Sequence, residues 1–176
     1  MKISEINAYE LGVIKTFTGK FINVFDPKPE HINIVDIAHA LSHTCRFSGH
    51  TTVFYSVAAH SIWCEEFVQD EPVEIRLHAL LHDASEAYLT DMPSPIKQKL
   101  PQYIELEKSL MKAIYRKFGL DDDMPPAVKA ADHAALEYEE KFLLNNHMTP
   151  PYISSSALQK MIFIDRYNDL KNLRKK

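Results

Sequence analysis

The stretch Leu80-Leu81-His82-Asp83-Ala84-Ser85-Glu86-Ala87-Tyr88 restricts the fold of this chain more than any other. It continues an apolar helix and then, without a break, brings in an imidazole and two carboxylates. Burying such groups is costly unless they are paired or bound to a metal, so a chain that keeps them must supply partners from elsewhere. Adjacent helical residues point about 100° apart, which lets His82 and Asp83 flank one shared edge. Glu86 follows four residues after His82 and three after Asp83, and returns to that edge. Imidazole with carboxylate oxygen suits Zn, Mn, Fe, Co or Ni, or Mg where water fills most of the remaining positions, and the residue types do not choose among these. A bare His-Asp dipeptide is more often a cap or an exposed ion pair, so further donors have to be sought on other helices.

Helical spacing runs through most of the chain. Ile34, Ile37, Ala38 and Leu41 predict a first helix to about Thr44, with Asn33 as cap; its His39 and His43 read as structural or surface residues. Cys45-Arg46-Phe47-Ser48-Gly49-His50 breaks that helix and presents Arg46 and His50 on a loop, where ligand contacts are often held. Thr51 or Thr52 can cap a second helix to about Phe67, which carries His60 on its inward stripe. Phe54 and Tyr55 are open between pocket wall and core. Pro72 starts a third helix that ends at His82-Asp83, and the turn Thr90 to Pro95 keeps Asp91 near that end, with Lys97 on the next short helical turn.

Tyr103 to Phe118 is amphipathic and ends at Gly119, while Pro125-Pro126 opens a helix through Asp132 to Phe142. Asp132 lies among small apolar residues, so it is expected to be buried and to need a partner; His133 points elsewhere. The acidic stretch Glu137 to Glu140 reads as a solvated helix face rather than an interface. After Pro150-Pro151, a serine between Ser154 and Ser156 caps a last helix. Residues 1–29 predict an irregular lead-in with room for a hairpin around Thr16 to Val24. The expected fold is all-α: one domain over residues 1–176, with a helical core at about 33–145 and a C-terminal helix at about 156–172.

Composition sets the outer limits. A chain of 176 residues with 45% hydrophobic content has room for one domain with a real core. Net charge −4 argues against a general nucleic-acid or membrane-surface binder, and leaves room for a local basic pocket that takes a small anion. The two cysteines, Cys45 and Cys64, are spaced unlike a zinc ribbon and read as buried thiols of a reducing compartment, with no disulfide. Met1-Lys2-Ile3-Ser4-Glu5 lacks a charged region followed by an apolar one, and no apolar run approaches bilayer length, so a cytoplasmic protein is expected.

His60, then His82-Asp83, then Asp132, each on a separate helix, resembles the HD-domain metal phosphohydrolases. More specifically, Arg46-Phe47, Ser56-Val57-Ala58-Ala59-His60-Ser61, Leu81-His82-Asp83-Ala84-Ser85-Glu86-Ala87, Asp91-Met92-Pro93-Ser94-Pro95-Ile96-Lys97 and Lys129-Ala130-Ala131-Asp132 are similar, in order, to the motifs of YfbR-type 5'-deoxynucleotidases. The resemblance implies a single HD-domain helical bundle. It implies one divalent ion per active site (Co, Mn, Zn, Mg, Fe or Ni) held by His60, His82, Asp83 and Asp132, with Glu86 and Asp91 beside its bound water as catalytic groups. Arg46 and Lys97 would contact phosphate, and Phe47 would pack on the sugar, where it disfavours a 2'-hydroxyl. Phe47 stands where that family carries tryptophan, a departure from the pattern at the position that would meet the sugar. His50 is open between contacting phosphate or base and capping the second helix.

Independently of the family, two imidazoles and two carboxylates leave places on a six-coordinate ion for water and a phosphate oxygen. Glu86 or Asp91 could accept a proton, Arg46 offers a planar fork to phosphate, and Lys97 a point charge. The expected activity is removal of the 5'-phosphate from deoxynucleoside monophosphates by a metal-bound water. One alternative is cleavage of deoxynucleoside triphosphates to nucleoside and triphosphate. Another is a nucleotide-sensing module without turnover. The partner expected is a small nucleotide, without nucleic acid or membrane, in a homo-oligomer that the resemblance makes most simply a dimer.

Overall fold

In a computed structural model of the chain, residues 12–145 and 152–175 are described; the first part of the expected lead-in, residues 1–11, and the expected break at Pro150-Pro151 lie outside them. The described chain begins with an antiparallel hairpin of β1 (Val13–Lys15) and β2 (Phe21–Asn23), with Ile14 opposite Ile22. The fold is otherwise helical, as expected: α1 (Ile34–His43), α2 (Val57–Phe67), α3 (Val73–Leu81), α4 (Glu86–Leu89), α5 (Ser94–Lys97), α6 (Pro101–Phe118), α7 (Pro126–Glu139) and α8 (Ser156–Leu173). Glu140–Asn145 continue α7 as a π-helical turn.

Asn33 caps α1 as expected, accepting from the Asp36 N–H at 2.9 Å. Asp36 is itself buried and ties the hairpin to α1: one carboxylate oxygen accepts from the Thr18 N–H at 2.7 Å and the other from the Thr16 and Thr18 hydroxyls, each at 2.9 Å. Asp36→Ala removes these acceptors and is expected to cost about 2 kcal/mol, the usual penalty for stranding several donors of a buried group. A lowered urea midpoint with unchanged slope is the sign; a loss below about 0.5 kcal/mol would show that the hairpin is held by its apolar residues alone.

Helix α2 is buried nearly all round, with Val57, Ala58, Ala59, His60, Ser61, Ile62, Cys64 and Glu65 all inside. A helix without a polar face belongs in the middle of a fold, and α2 packs against α1, α3, α7 and α8. Its polar residues must therefore find partners inside. Glu65 takes Arg76 from α3 and Arg166 from α8, the latter at 2.8 Å. The cap of α2 is Ser56, not Thr51 or Thr52: Ser56 Oγ accepts from the Ala59 N–H at 3.1 Å and donates to Gln159 of α8. The loop instead closes through an isolated bridge between Cys45 and Ser56, which delays the helix to Val57. Tyr55 is core and Phe54 is exposed.

The amphipathic α6 begins at Pro101, two residues earlier than Tyr103, since proline suits the first helical turn. Gly119 ends it at φ 67°, in the left-handed region where glycine carries no side-chain clash. Among the described residues no helix is long and apolar enough to cross a membrane.

Candidate metal centre

The centre forms where α2, the end of α3 and α7 meet. Helix α3 stops at Leu81, and His82–Ser85 form a turn before α4, so His82 and Asp83 leave a helix end instead of sharing a helix edge. The turn still brings their side chains together, with His82 Nε2 3.2 Å from Asp83 Oδ2. From α2, His60 Nε2 lies 3.2 Å from His82 Nε2 and 3.5 Å from Asp83 Oδ2. From α7, Asp132 Oδ1 lies 3.1 Å from His60 Nε2 and 3.7 Å from His82 Nε2.

Each imidazole is fixed from behind. His60 Nδ1 donates to Glu139 Oε1 at 2.7 Å and His82 Nδ1 to the Ala79 carbonyl at 2.8 Å. With both Nδ1 atoms committed to acceptors behind them, each ring has its Nε2 left for the centre, and deprotonated rings would turn two lone pairs toward a shared positive ion. A carboxylate or carbonyl behind a histidine is also the usual support of a metal-ligating imidazole. Donors bound at about 2.0–2.2 Å in octahedral or tetrahedral geometry stand roughly 3.0–3.5 Å apart, and the separations here fall in or close to that range. The donor set fits a divalent ion.

The inner wall is dry and the outer one wet. His60 and Glu139 are fully buried, whereas the side chains of Asp83 and Asp132 are 22% and 44% exposed. Asp132 is thus less buried than its apolar neighbours in sequence suggest, because its carboxylate lies at the mouth of the centre. Burial opposes charge on both imidazoles, and Arg46 adds to it at His60. Cys64, Glu139 and Asp132 at His60, and Asp83, Cys64 and Asp132 at His82, outweigh this and hold both well above the ordinary histidine range. Burial likewise opposes charge on Asp83 and Asp132, and the two histidines pull both below the usual carboxylate range.

Glu86 is buried at the start of α4, and its Oε2 has no hydrogen-bond partner. Burial, then the charges of Asp83 and Asp91, push its carboxyl well above the usual range. Burial also raises Asp91, with Arg46 opposing and Asp83 adding to it. Asp91 lines a cleft of about 570 Å³ with His43, Thr44, Cys45, Ser48, Thr90, Met92 and Pro93.

Arg46 is buried, with Nε donating to Glu139 Oε2 at 2.8 Å and Nη1 3.7 Å from Asp83 Oδ2. One edge of its fork is therefore committed to a carboxylate, and only its outer nitrogens remain for a phosphate. Lys97 Nζ donates to Glu107 at 2.7 Å. Phe47 is half-buried against Tyr55, Ala59 and Leu143, and the Arg46 guanidinium lies 5.4 Å from its ring centre. Phe47 and Ser48 both take positive φ, 54° and 52°, a strained turn for residues with side chains and one often kept at functional loops. His50 is exposed, its N–H closing that turn on the Phe47 carbonyl, and Ser56 has the capping role that His50 could have filled.

Two residues of the centre were not among the candidates. Cys64, read as an inert buried thiol, joins His60, His82 and Asp132 in a group whose ligand atoms all lie within 4.8 Å of one another. Glu139, read as part of a solvated face, is fully buried between Arg46 and His60. Both had a signal in the spacing: Cys64 is four residues after His60, and Glu139 is seven after Asp132, which places each pair on one helix face.

Fold and site together define an all-α protein with a group of two histidines, a cysteine and an aspartate, buried but for Asp132, that could bind a metal ion. The chain belongs to the family of the uncharacterized protein YfdR of Escherichia coli (strain K12), with which it shares 37% identity over 179 residues, 94% of this chain and 99% of that protein. It is also 41% identical over 128 residues to the uncharacterized protein RCAP_rcc00048 of Rhodobacter capsulatus, across 69% of this chain and 65% of that one. No family model matches the chain. Neither relative's name carries an activity.

Proposed function

We propose that the chain is a metal-dependent phosphohydrolase of the HD-domain kind that removes the 5'-phosphate of deoxynucleoside monophosphates. The observation that supports this most is the pair of buried imidazoles, Nε2 to Nε2 at 3.2 Å, facing the Asp83 and Asp132 carboxylates at the edge of the interior. A divalent ion held by His60, His82, Asp83 and Asp132 would polarise a phosphate oxygen and acidify a bound water. Glu86 and Asp91 are the groups proposed to exchange a proton with that water, since their surroundings raise both above ordinary carboxylates. Arg46 and Lys97 both bring positive charge to bear on Glu86 and Asp91, and Glu139 accepts from both Arg46 and His60 and keeps them in register.

The test is phosphate release from a panel of deoxy- and ribonucleoside mono- and triphosphates with Mn, Co, Mg or Zn, products resolved by chromatography. Orthophosphate from deoxynucleoside monophosphates is expected. Tripolyphosphate from a triphosphate would replace this activity with triphosphohydrolysis. Tight nucleotide binding with no product under any metal would make the chain a sensing module.

A further inference from the structure

Thr90 holds a backbone conformation that its own side chain opposes. It closes α4 at φ 78° and ψ 156°, a region nearly confined to glycine, where a β-branched residue stays only if its surroundings hold it. Two contacts do so. The Thr90 N–H donates to the Glu86 carbonyl at 3.0 Å. From the first turn of α6, the Tyr103 hydroxyl donates to the Thr90 carbonyl at 3.0 Å and lies 3.4 Å from that of Leu89. The strained peptide thus stands between the two carboxyls proposed for proton exchange, after Glu86 and directly before Asp91. Burial apart, the charges acting on the Asp91 carboxyl are those of Arg46, Asp83, His60 and Lys97, the groups around the metal centre.

We infer that Tyr103 is a positioning residue for Asp91, its hydroxyl holding the Thr90 peptide in the strained conformation that sets where the Asp91 carboxyl stands. The inference rests on the phosphohydrolase reading above and adds to it what fixes one of its proton-exchanging groups. Without the hydroxyl, Thr90 relaxes to a negative φ, and the peptide that leads into Asp91 turns with it. A carboxyl displaced by about 1 Å from the atom it serves can lose about 10²-fold in rate. The placing of Tyr103 belongs to α6 as a whole. Its ring is half-buried and lies 6.0 Å from Lys97 Nζ, and Glu107, one turn later on the same face, accepts from that ammonium at 2.7 Å. One face of α6 therefore backs both Asp91 and Lys97. Burial, with the charge of Glu107 added, pushes the Tyr103 hydroxyl up to about 12, so it keeps the proton it donates.

The experiment measures kcat and KM for orthophosphate release from the common deoxynucleoside monophosphates with manganese, in the unaltered full chain, in Tyr103→Phe and in Tyr103→Phe with Thr90→Gly. Tyr103→Phe keeps the ring beside Lys97 and removes only the hydroxyl. It is expected to lose about 10–100-fold in kcat. KM and manganese affinity should change by less than about twofold, since Arg46, Lys97 and the metal donors are untouched. Adding Thr90→Gly removes the side chain that opposes the conformation and should restore kcat by at least about fivefold. A hydroxyl that only braced the fold would lower Tm and leave kcat unchanged. That result, or a lowered kcat that Thr90→Gly does not restore, would overturn the inference and leave the proposed function standing. A raised KM at unchanged kcat would overturn it too, by assigning the hydroxyl to substrate binding. No orthophosphate from the unaltered chain would overturn the proposed function and this role for Tyr103 with it.

Discussion

Asp83→Ala and His82→Ala are each expected to lose metal and phosphate release together, while Glu86→Gln keeps the metal and loses turnover by about 10²–10⁴-fold, the usual size of a general acid–base contribution. The difference follows from position. His82 Nε2 and Asp83 Oδ2 are 3.2 Å apart in the middle of the donor cluster, and removing either opens the set. Glu86 stands behind them, buried, with one carboxyl oxygen unpartnered, so the amide of glutamine can occupy its place without disturbing the donors. Metal content and product formation measured on the same samples separate the two roles. An Asp83→Ala protein that is metal-free and fully active would sink the site assignment, and a Glu86→Gln protein at full rate would leave Asp91 as the proton-exchanging group.

Glu139→Ala is expected to destabilise the fold by about 3–5 kcal/mol, the range for removing one member of a buried charged pair. The loss is large because Glu139 has two dependants. Arg46 Nε and His60 Nδ1 donate to its two oxygens at 2.8 and 2.7 Å, all three side chains being buried, and alanine leaves a guanidinium and an imidazole facing apolar walls. Metal affinity should fall about 10–100-fold in the same variant, as it does when the group that orients a ligating histidine is removed. Urea unfolding and zinc titration check the two effects. A loss under about 1 kcal/mol with unchanged zinc binding would mean that water satisfies Arg46 and His60, and that Glu139 orients neither.

The sequence carried the helices and the histidine–aspartate cluster, but not the whole of the site. Asn33 as a cap, Gly119 as a stop and Pro126 as a start are local signals, set by backbone chemistry within a turn or two, and they appear where expected, while the hairpin expected around Thr16 to Val24 starts earlier, with its first strand at Val13–Lys15. Ser56 replaced Thr51 and Thr52 as the cap of α2 because a bridge between residues on either side of the loop, Cys45 and Ser56, decides where the helix can begin. His60, His82, Asp83 and Asp132 could be proposed together because charged or imidazole groups on apolar stripes need one another.

Glu139 and Cys64 show where that logic stops. Periodicity says which residues share a face of one helix; it does not say which face is covered. Helix α7 carries Asp132 and Glu139 on the side that α2 and α3 cover, and His133 and Glu137 on the side facing water, where they pair with each other at 3.4 Å. By itself the sequence determined the all-α class, the order of the helices and four residues that meet at one point. Only the tertiary packing of α2 among its neighbours decided that a glutamate would be buried between an arginine and a histidine, and that a thiol would face the same point as the donors. Burial is a property of the neighbours a residue acquires, and those are chosen by helix packing across more than a hundred residues of chain.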